Sequence, residues 1–275
     1  MSLNLNFDFG VIWHSLPLLG QGALVTVEIT ALAVSIGLVI GTVMGLMEIS
    51  RRSVLHYPAK VYVDFIRGTP LLVQIFIIYF ALPVIFGHRI EPFAAAVAAC
   101  SINSGAYLAE IFRAGIESIP TGQYEAAASL GMGRLMTMVH IILPQTIRRV
   151  IPTVTSDFIM AFKDTSLLSS VGVMELMMFA KNLTSVSGNM TPYVTAAIFY
   201  LIVTLPLIKV VGIIEKRIAR SEKGGGPRPK AKAANEDAQA EGTEETSAAE
   251  PSMIEALSAP FRANNARLGG VADGR

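Results

Sequence analysis

The chain has 275 residues, of which 52% are hydrophobic and only 16% are charged, and its mean hydropathy is +0.52. These values are typical of a protein that crosses a membrane several times, and they exclude an ordinary soluble enzyme. The formal net charge of +1 gives no reason to expect nucleic acid as a partner. A single cysteine and four scattered histidines predict neither an intramolecular disulfide nor a metal site.

The first 19 residues precede the first long apolar run, and we expect them on the extracytoplasmic side. They do not form a secretory signal peptide, since they lack a basic start and a compact apolar core before a small-residue cleavage site. The run from about residue 20 to residue 47 is long enough to cross a hydrocarbon core of ~30 Å as a helix. Glu28 is alone within it and should face a cavity or a subunit interface, not lipid.

Three glycines four residues apart line one face of this first span: Gly37, Gly41 and Gly45. Small residues at this spacing allow two membrane helices to approach closely. The neighbouring helix belongs either to the same subunit or to a second one, and the sequence does not distinguish between these alternatives.

Four further segments complete the predicted membrane region. Three of them are clear apolar runs and lie at about residues 69–86, 92–112 and 193–214. The fourth, at residues 150–162, is interrupted by Pro152 and Asp157, which is typical of a bent or broken helix packed inside a protein. The sequence therefore predicts an all-α polytopic transmembrane protein of about five spans.

The basic residues predict how the spans are oriented. Lysine and arginine are absent from the first 50 residues, and they cluster after the first span, around residues 113–149 and after the fifth span. The opposite loops carry only Arg89, Lys163 and Lys181. Because cytoplasmic loops are enriched in basic residues, the N-terminus is expected outside and the C-terminus inside. This arrangement requires an odd number of spans, in agreement with five.

A cytoplasmic segment at residues 120–144 contains a short helix rich in alanine. Pro120 and Thr121 are suited to begin a helix, and Glu125 falls in its first turn, where the helix dipole favours a carboxylate. Three successive alanines keep this helix thin, so that another protein can approach its backbone. Gly131 and Gly133 are expected to end it.

This segment resembles the coupling loop of ABC importer permeases. The resemblance rests on Glu125, Ala126 and Ala127, on Gly131, and on the later Ile141 with Leu143 and Pro144. Three other motifs look like those of the polar amino-acid permeases of bacterial type I importers, in the binding-protein-dependent transport family: residues 62–74, 104–116 and 162–168. The similarity covers roughly residues 20–220, which are expected to form the permease domain.

The resemblance implies a multi-pass protein of the bacterial inner membrane that works with several partners. It implies a cytoplasmic ABC ATPase dimer, a second permease copy or paralogue, and an extracytoplasmic solute-binding protein. ATP and magnesium are expected on the ATPase, with no cofactor on this chain, because the sequence contains no phosphate-binding loop. Nor does it contain a catalytic arrangement of serine, histidine and an acid, so no catalytic residue is predicted.

Polar residues at membrane depth are the candidates for substrate binding. Lys163 is predicted to meet the carboxylate of an amino acid, and Asp164 its ammonium group. Asn103, Tyr107 and Thr165 are expected to form hydrogen bonds to either group. The alternative is that Lys163 and Asp164 pair with one another or cap a break in the helix.

Two further pairs of charged residues lie three residues apart at the cytoplasmic ends of spans: Asp64 with Arg67, and Glu110 with Arg113. This spacing favours ion pairs on a helix surface. The same pairs are alternatively an inner gate that breaks between transport states.

From Ser221 onward the composition changes to glycine, proline, alanine and charged residues, which predicts a disordered cytoplasmic tail over residues 221–275. The function that we predict is that of a permease subunit importing a polar amino acid or a related compound. A passive channel or a membrane scaffold without an ATPase is the alternative.

Overall fold

A computed structural model describes the backbone of residues 9–223 and the side chains of residues 10–218. Most of the predicted tail and the first eight residues lie outside this described part. Regular structure within it is helical throughout. Ten α-helices follow one another: α1 (Phe9–Glu48), α2 (Ser53–Arg67), α3 (Leu71–Phe76), α4 (Leu82–Phe86), α5 (Pro92–Glu117), α6 (Thr121–Ser129), α7 (Arg134–Thr137), α8 (Leu143–Asp164), α9 (Leu176–Ser187) and α10 (Thr191–Lys223).

Three shorter segments connect some of these helices without a true loop. A π-helical turn, Ile77–Ala81, joins α3 to α4, and a second, Met138–Ile142, joins α7 to α8. A 3₁₀ helix, Thr165–Val171, follows α8 directly. The chain therefore stays helical across most of the predicted membrane region, which satisfies its backbone polar groups internally.

Three described helices are long and apolar enough to cross a membrane, namely α1, α5 and α10. They correspond to the predicted first, third and fifth spans. The second corresponds to residues 71–86, which follow α2 after a bend of 105° and count as a further candidate only when the two are taken as one span. Helix α8 is not among the candidates. The count of five and the orientation of the spans therefore stay predictions.

Helix α8 carries too many polar groups to qualify by composition, yet it is continuous. It runs from Leu143 to Asp164 through Pro152, where a bend or a break was expected. Its irregular turns lie at its two ends instead, as the π-helical turn before it and the 3₁₀ helix after it. The polar residues of α8 therefore project from one continuous helix.

The glycine stripe of α1 packs against α5 of the same subunit. A Cβ atom added to Gly37 would lie 2.9 Å from the Ser104 Cβ atom, and one added to Gly41 would lie 2.6 Å from the Leu108 Cβ atom. At Gly45 it would meet the Ala109 carbonyl oxygen at 2.8 Å. No side chain fits in these gaps without a shift, so packing within the subunit explains the stripe.

A buried core holds the 3₁₀ helix that follows α8. Ile29 of α1, Ile75 of α3, Ala99 of α5 and Leu168 of the 3₁₀ helix are all buried in one cluster. This cluster fixes the position at which α8 ends, because the residues immediately after it are anchored on three other helices.

A second cluster joins α1, α9 and α10, and it surrounds a buried carboxylate. Glu175 is fully buried, and its carboxylate accepts hydrogen bonds from the backbone N–H groups of Met177 and Met178 at 2.8 and 2.7 Å. The Tyr200 hydroxyl lies 3.3 Å away and donates a third. Glu175 therefore caps the N-terminus of α9 with its buried oxygens satisfied.

Candidate functional site

A polar cavity of about 460 Å³ lies where the turn between α2 and α3 meets α5 and α8. Its walls come from four parts of the chain: Arg67, Gly68, Thr69, Pro70 and Leu71; Asn103, Ser104 and Tyr107 of α5; Asp157, Met160, Ala161 and Asp164 of α8; and Leu167. A cavity of this size with a few convergent polar groups is typical of a small-molecule site.

Three of the predicted substrate-binding residues line this cavity: Asn103, Tyr107 and Asp164. The side-chain amide of Asn103 donates a hydrogen bond to the Gln74 side-chain oxygen at 3.0 Å. The buried Gln74 amide in turn donates to the backbone oxygen of Ile66 at 2.8 Å. Gln74 thus ties the turn between α2 and α3 to the α5 wall of the cavity.

Two of the predicted substrate-binding residues lie elsewhere. The Lys163 side chain is exposed and does not line the cavity. Thr165 is fully buried, and its hydroxyl donates a hydrogen bond to the Phe162 carbonyl oxygen at 2.7 Å. Adjacent residues of a helix point in different directions, so Lys163 and Asp164 do not share one cavity.

Arg67, and not Lys163, supplies a basic side chain to the cavity. It lines the cavity, and its guanidinium carbon lies 5.7 Å from the centre of the Tyr107 ring, within the range of a cation–π contact. One of its nitrogens lies 3.4 Å from a carboxylate oxygen of Glu110. Arg67 therefore connects the cavity to the charged residues nearby.

Those charged residues form a network centred on Arg113. Its guanidinium contacts Glu110 at 2.5 Å, Glu117 at 2.7 Å and Glu48 at 3.6 Å. Because Glu110 also contacts Arg67, the network joins α1, α2 and α5 beside the cavity.

The predicted pairing of Asp64 with Arg67 is wrong. Asp64 contacts Lys60, four residues before it on the exposed surface of α2, at 3.3 Å. Arg67 ends the same helix and reaches across to α5 instead. The inner gate that the sequence suggested would therefore involve Arg67, Glu110 and Arg113, and not Asp64.

Asp157 is a cavity residue to which the sequence alone assigned no role. One of its carboxylate oxygens is buried and has no hydrogen-bond partner within the described part of the chain. It precedes Asp164 by seven residues, which places both on the same face of α8. The seven-residue spacing indicates a shared face only if the helix is continuous, so the expected break concealed the relation between Asp157 and Asp164.

The predicted coupling segment forms the short helix α6, at one end of α5. Glu125 and Ala126 are exposed, whereas Ala127 is buried. Gly131 follows the helix with φ at +74°, a left-handed conformation that glycine adopts without strain. Glu125 and Ala126 are therefore presented outward on a helix that ends sharply.

Apolar contacts hold α6 to the rest of the protein. Tyr124 is half-buried against a cluster that contains Ile116, Ile119 and Ile142, and this burial raises the pKa of its phenol. Leu130 and Leu135, which follow α6, are each 79% exposed. Exposed large apolar side chains beside an outward-facing helix are typical of an interaction surface.

The coupling segment stands between the two helices that carry most of the cavity's polar groups. Only residues 118–120 separate α5 from α6, and α7 with its π-helical turn leads from α6 into α8. Arg149 of α8 donates hydrogen bonds to the backbone and hydroxyl oxygens of Ser118, at 2.7 and 3.1 Å. A displacement of α6 would therefore act on both walls of the cavity.

Two permease proteins of known transport systems are similar to most of this chain. The chain is 40% identical over 218 residues to the glutamine transport system permease protein GlnP of Escherichia coli K12, which covers 78% of this chain and 99% of that protein. It is 40% identical over 206 residues to the L-cystine transport system permease protein TcyB of Bacillus subtilis 168, covering 74% and 88% respectively.

Solved structures have the same fold. An amino acid ABC transporter crystallised with histidines matches with a TM-score of 0.74 and 38% identity, over 78% of this chain and all of that one. The methionine transporter MetNI in an inward-facing conformation matches with a TM-score of 0.65 at 20% identity, over 77% of this chain and 99% of the matched chain. The second likeness concerns the fold alone.

A family model covers most of the described helices. The model of the binding-protein-dependent transport system inner membrane component matches residues 37–220, which is more than half of the chain. Its range includes the coupling segment and every residue that lines the polar cavity. The chain therefore belongs to the family of inner membrane components of binding-protein-dependent transport systems.

Proposed function

We propose that this chain imports a polar amino acid or a closely related compound, and that the polar cavity between α5 and α8 is its substrate site. Family membership makes the chain a multi-pass inner-membrane permease of an ABC importer and not an enzyme, since ATP hydrolysis belongs to a separate subunit. It favours an importer over a passive channel or scaffold. The relatives transport glutamine and L-cystine, according to their names.

The observation that carries this proposal is the position of the coupling segment. Helix α6 lies between α5, which supplies Asn103 and Tyr107, and α8, which supplies Asp164. A force applied to α6 therefore reaches the walls of a polar cavity directly. This is what an importer driven from the cytoplasm requires.

Within the cavity, the charges are arranged to hold an amino acid. Arg67 is suited to meet the carboxylate, since a guanidinium binds a carboxylate through parallel hydrogen bonds. Asp164 is suited to meet the ammonium group, and Asn103 and Tyr107 supply polar atoms between them. Arg67 replaces Lys163 in this role, and Thr165 is left to stabilise the end of α8.

On the cytoplasmic side, Glu125, Ala126, Ala127 and Gly131 shape the surface that meets the ATPase. The two exposed members, Glu125 and Ala126, would contact it, while buried Ala127 and left-handed Gly131 hold the helix in place. ATP and magnesium are assigned to the ATPase, and no cofactor is assigned to this chain.

An ABC importer of this family works with an ATPase and a substrate-binding protein. The proposed assembly contains two ATPases and a second permease, which is either identical to this chain or a paralogue. Glu28 lies exposed on α1 within the apolar span, as a contact with a second permease would require. A carboxylate facing lipid is costly, so another subunit or an aqueous path is expected to cover it.

The test combines purification from native membranes with transport in proteoliposomes. An ATPase subunit is expected to co-purify with the tagged chain. Proteoliposomes that contain this complex and its binding protein should take up an amino acid only when ATP is supplied. Glu125→Lys reverses the charge of an exposed residue on α6, so it should abolish ATPase recovery while the helical content is kept. ATP-driven uptake at the wild-type rate in this variant would overturn the coupling role of Glu125.

A further inference from the structure

The cavity carries more negative than positive charge. Among the described residues that line it, the side chains with a formal charge are Arg67, Asp157 and Asp164. Arg67 is within 3.4 Å of Glu110, which lies outside the cavity walls. No basic side chain in the described part of the chain forms an ion pair with either aspartate. If Arg67 binds the carboxylate of an amino acid and Asp164 binds its ammonium group, Asp157 remains without a partner of opposite charge.

We infer that the substrate is an amino acid with a cationic side chain, and that Asp157 recognises this second positive charge. The inference rests on the proposed function, since it takes the cavity to be the substrate site. A neutral amino acid would leave the Asp157 carboxylate without a counter-charge in a largely apolar protein. A side-chain ammonium, guanidinium or imidazolium group would balance it.

The buried oxygen of Asp157 supports this assignment independently of the count of charges. It is shielded from solvent and has no hydrogen-bond partner in the described chain. Buried acceptors in native proteins nearly always have a donor, so the protein alone leaves this carboxylate poorly stabilised. Asp157 also lines the cavity, and a ligand that donates a hydrogen bond to its cavity-facing part would stabilise it. A neutral side-chain amide could donate this bond, but only a cation both donates and neutralises the charge.

The spacing along α8 suits a ligand with two positive groups. Asp157 and Asp164 lie seven residues apart on one face of the helix, which corresponds to about 10 Å along its axis. Asp164 is then the partner of the α-ammonium group, and Asp157 that of the far end of the side chain. Arg67 is the last residue of α2, and it meets the carboxylate from a different wall.

The decisive experiment uses the importer assembled from this chain, its ATPase and its binding protein in proteoliposomes. ATP-driven uptake of L-arginine, L-lysine and L-glutamine is measured at saturating liganded binding protein. For the wild type we expect arginine or lysine to be transported at least about tenfold faster than glutamine. Asp157→Asn should lower the uptake of the cationic substrate by roughly 10- to 100-fold, the usual effect of losing a hydrogen bond to a charged group.

Two further variants separate recognition from folding. Asp157→Glu keeps the charge, and it should restore uptake to within a few-fold of the wild type. Asp64→Asn is the matched control, because Asp64 pairs with Lys60 on an exposed surface, and it should leave uptake unchanged. Assembly with the ATPase is checked for each variant.

The outcomes are distinct. Faster uptake of glutamine than of arginine and lysine by the wild type would overturn the cationic assignment and leave the importer function standing. Wild-type uptake of the cationic substrate by Asp157→Asn would overturn the role of Asp157. Absence of ATP-driven uptake for every amino acid tried would overturn the proposed function, and this inference with it.

Discussion

At the scale of single residues, Arg67 has the most informative position. It is shared between two environments, since it lines the cavity and also contacts Glu110. Glu110 is already held by Arg113 at 2.5 Å, so Arg67 is the less committed partner of that carboxylate. A substrate carboxylate entering the cavity would therefore compete with Glu110 for Arg67.

Arg67→Gln should lower ATP-driven uptake by roughly 10- to 100-fold, because it removes a charge-assisted hydrogen bond worth about 1.5–3 kcal/mol. Assembly with the ATPase should persist, since Arg67 belongs to α2 and to no part of the proposed coupling segment. Lys60→Gln is the matched control on the same helix, where the lysine only pairs with Asp64 on the surface. Equal uptake by Arg67→Gln and the wild type would remove Arg67 from the substrate site.

The sequence predicted the candidate site only in part, for reasons visible in single residues. Asn103 and Tyr107 are four apart on a long regular helix, so their shared face could be predicted. The prediction for Lys163 failed because adjacent residues of a helix point in different directions, and which of Lys163 and Asp164 faces the cavity depends on how the tertiary anchor at Leu168 orients the end of α8. Arg67 ends α2 immediately before a bend of 105°, and hydropathy does not show that this bend places it at the cavity.

At the scale of helices, the packing of α1 on α5 determines how close the first and third spans lie. The glycines of α1 allow backbone contact with Ser104 and Leu108, so the two helices pack without intervening side chains. Hydropathy was sufficient to find both helices, whereas the 105° bend between α2 and residues 71–86 was not predicted. That bend is stabilised by the buried Gln74 side chain, which donates hydrogen bonds to the backbone oxygens of Ile66 and Thr69, and hydropathy does not reveal these contacts.

Gly41→Ala should destabilise the protein by about 1–3 kcal/mol, because its new methyl group would lie 2.6 Å from the Leu108 Cβ atom and force the helices apart. Gly20→Ala is the same substitution on the same helix, at a position where nothing lies within 4 Å of the added atom. That control should be neutral or stabilising by up to about 1 kcal/mol, since alanine favours helix. Thermal unfolding in detergent measures both, and equal melting temperatures would contradict the close packing.

At the scale of the whole molecule, the order of elements explains how an importer subunit transmits force. The chain passes from α5, which forms one wall of the cavity, through α6 and α7 to α8, which forms another. A movement of α6 would therefore be transmitted along the chain to both walls. The contact between Arg149 and Ser118 also joins these two helices directly, because it ties α8 to the end of α5 just before α6 begins. Sequence motifs predicted a coupling helix at α6, whereas the contact that joins α8 to the end of α5 beside it is visible only in the fold.

This arrangement predicts that the contact between Arg149 and Ser118 can be removed without preventing assembly with the ATPase. Arg149→Ala removes two hydrogen bonds to Ser118, and it should lower the amount of substrate transported per ATP hydrolysed by roughly threefold to tenfold, the range expected for hydrogen bonds from a charged donor that is partly exposed. Arg148→Ala is the matched control, since Arg148 is exposed on the same helix and has no such contact with Ser118. The measurement is simultaneous uptake and ATP hydrolysis in proteoliposomes. An unchanged ratio in Arg149→Ala, with the ATPase still bound, would show that α6 moves the cavity walls without the contact between Arg149 and Ser118.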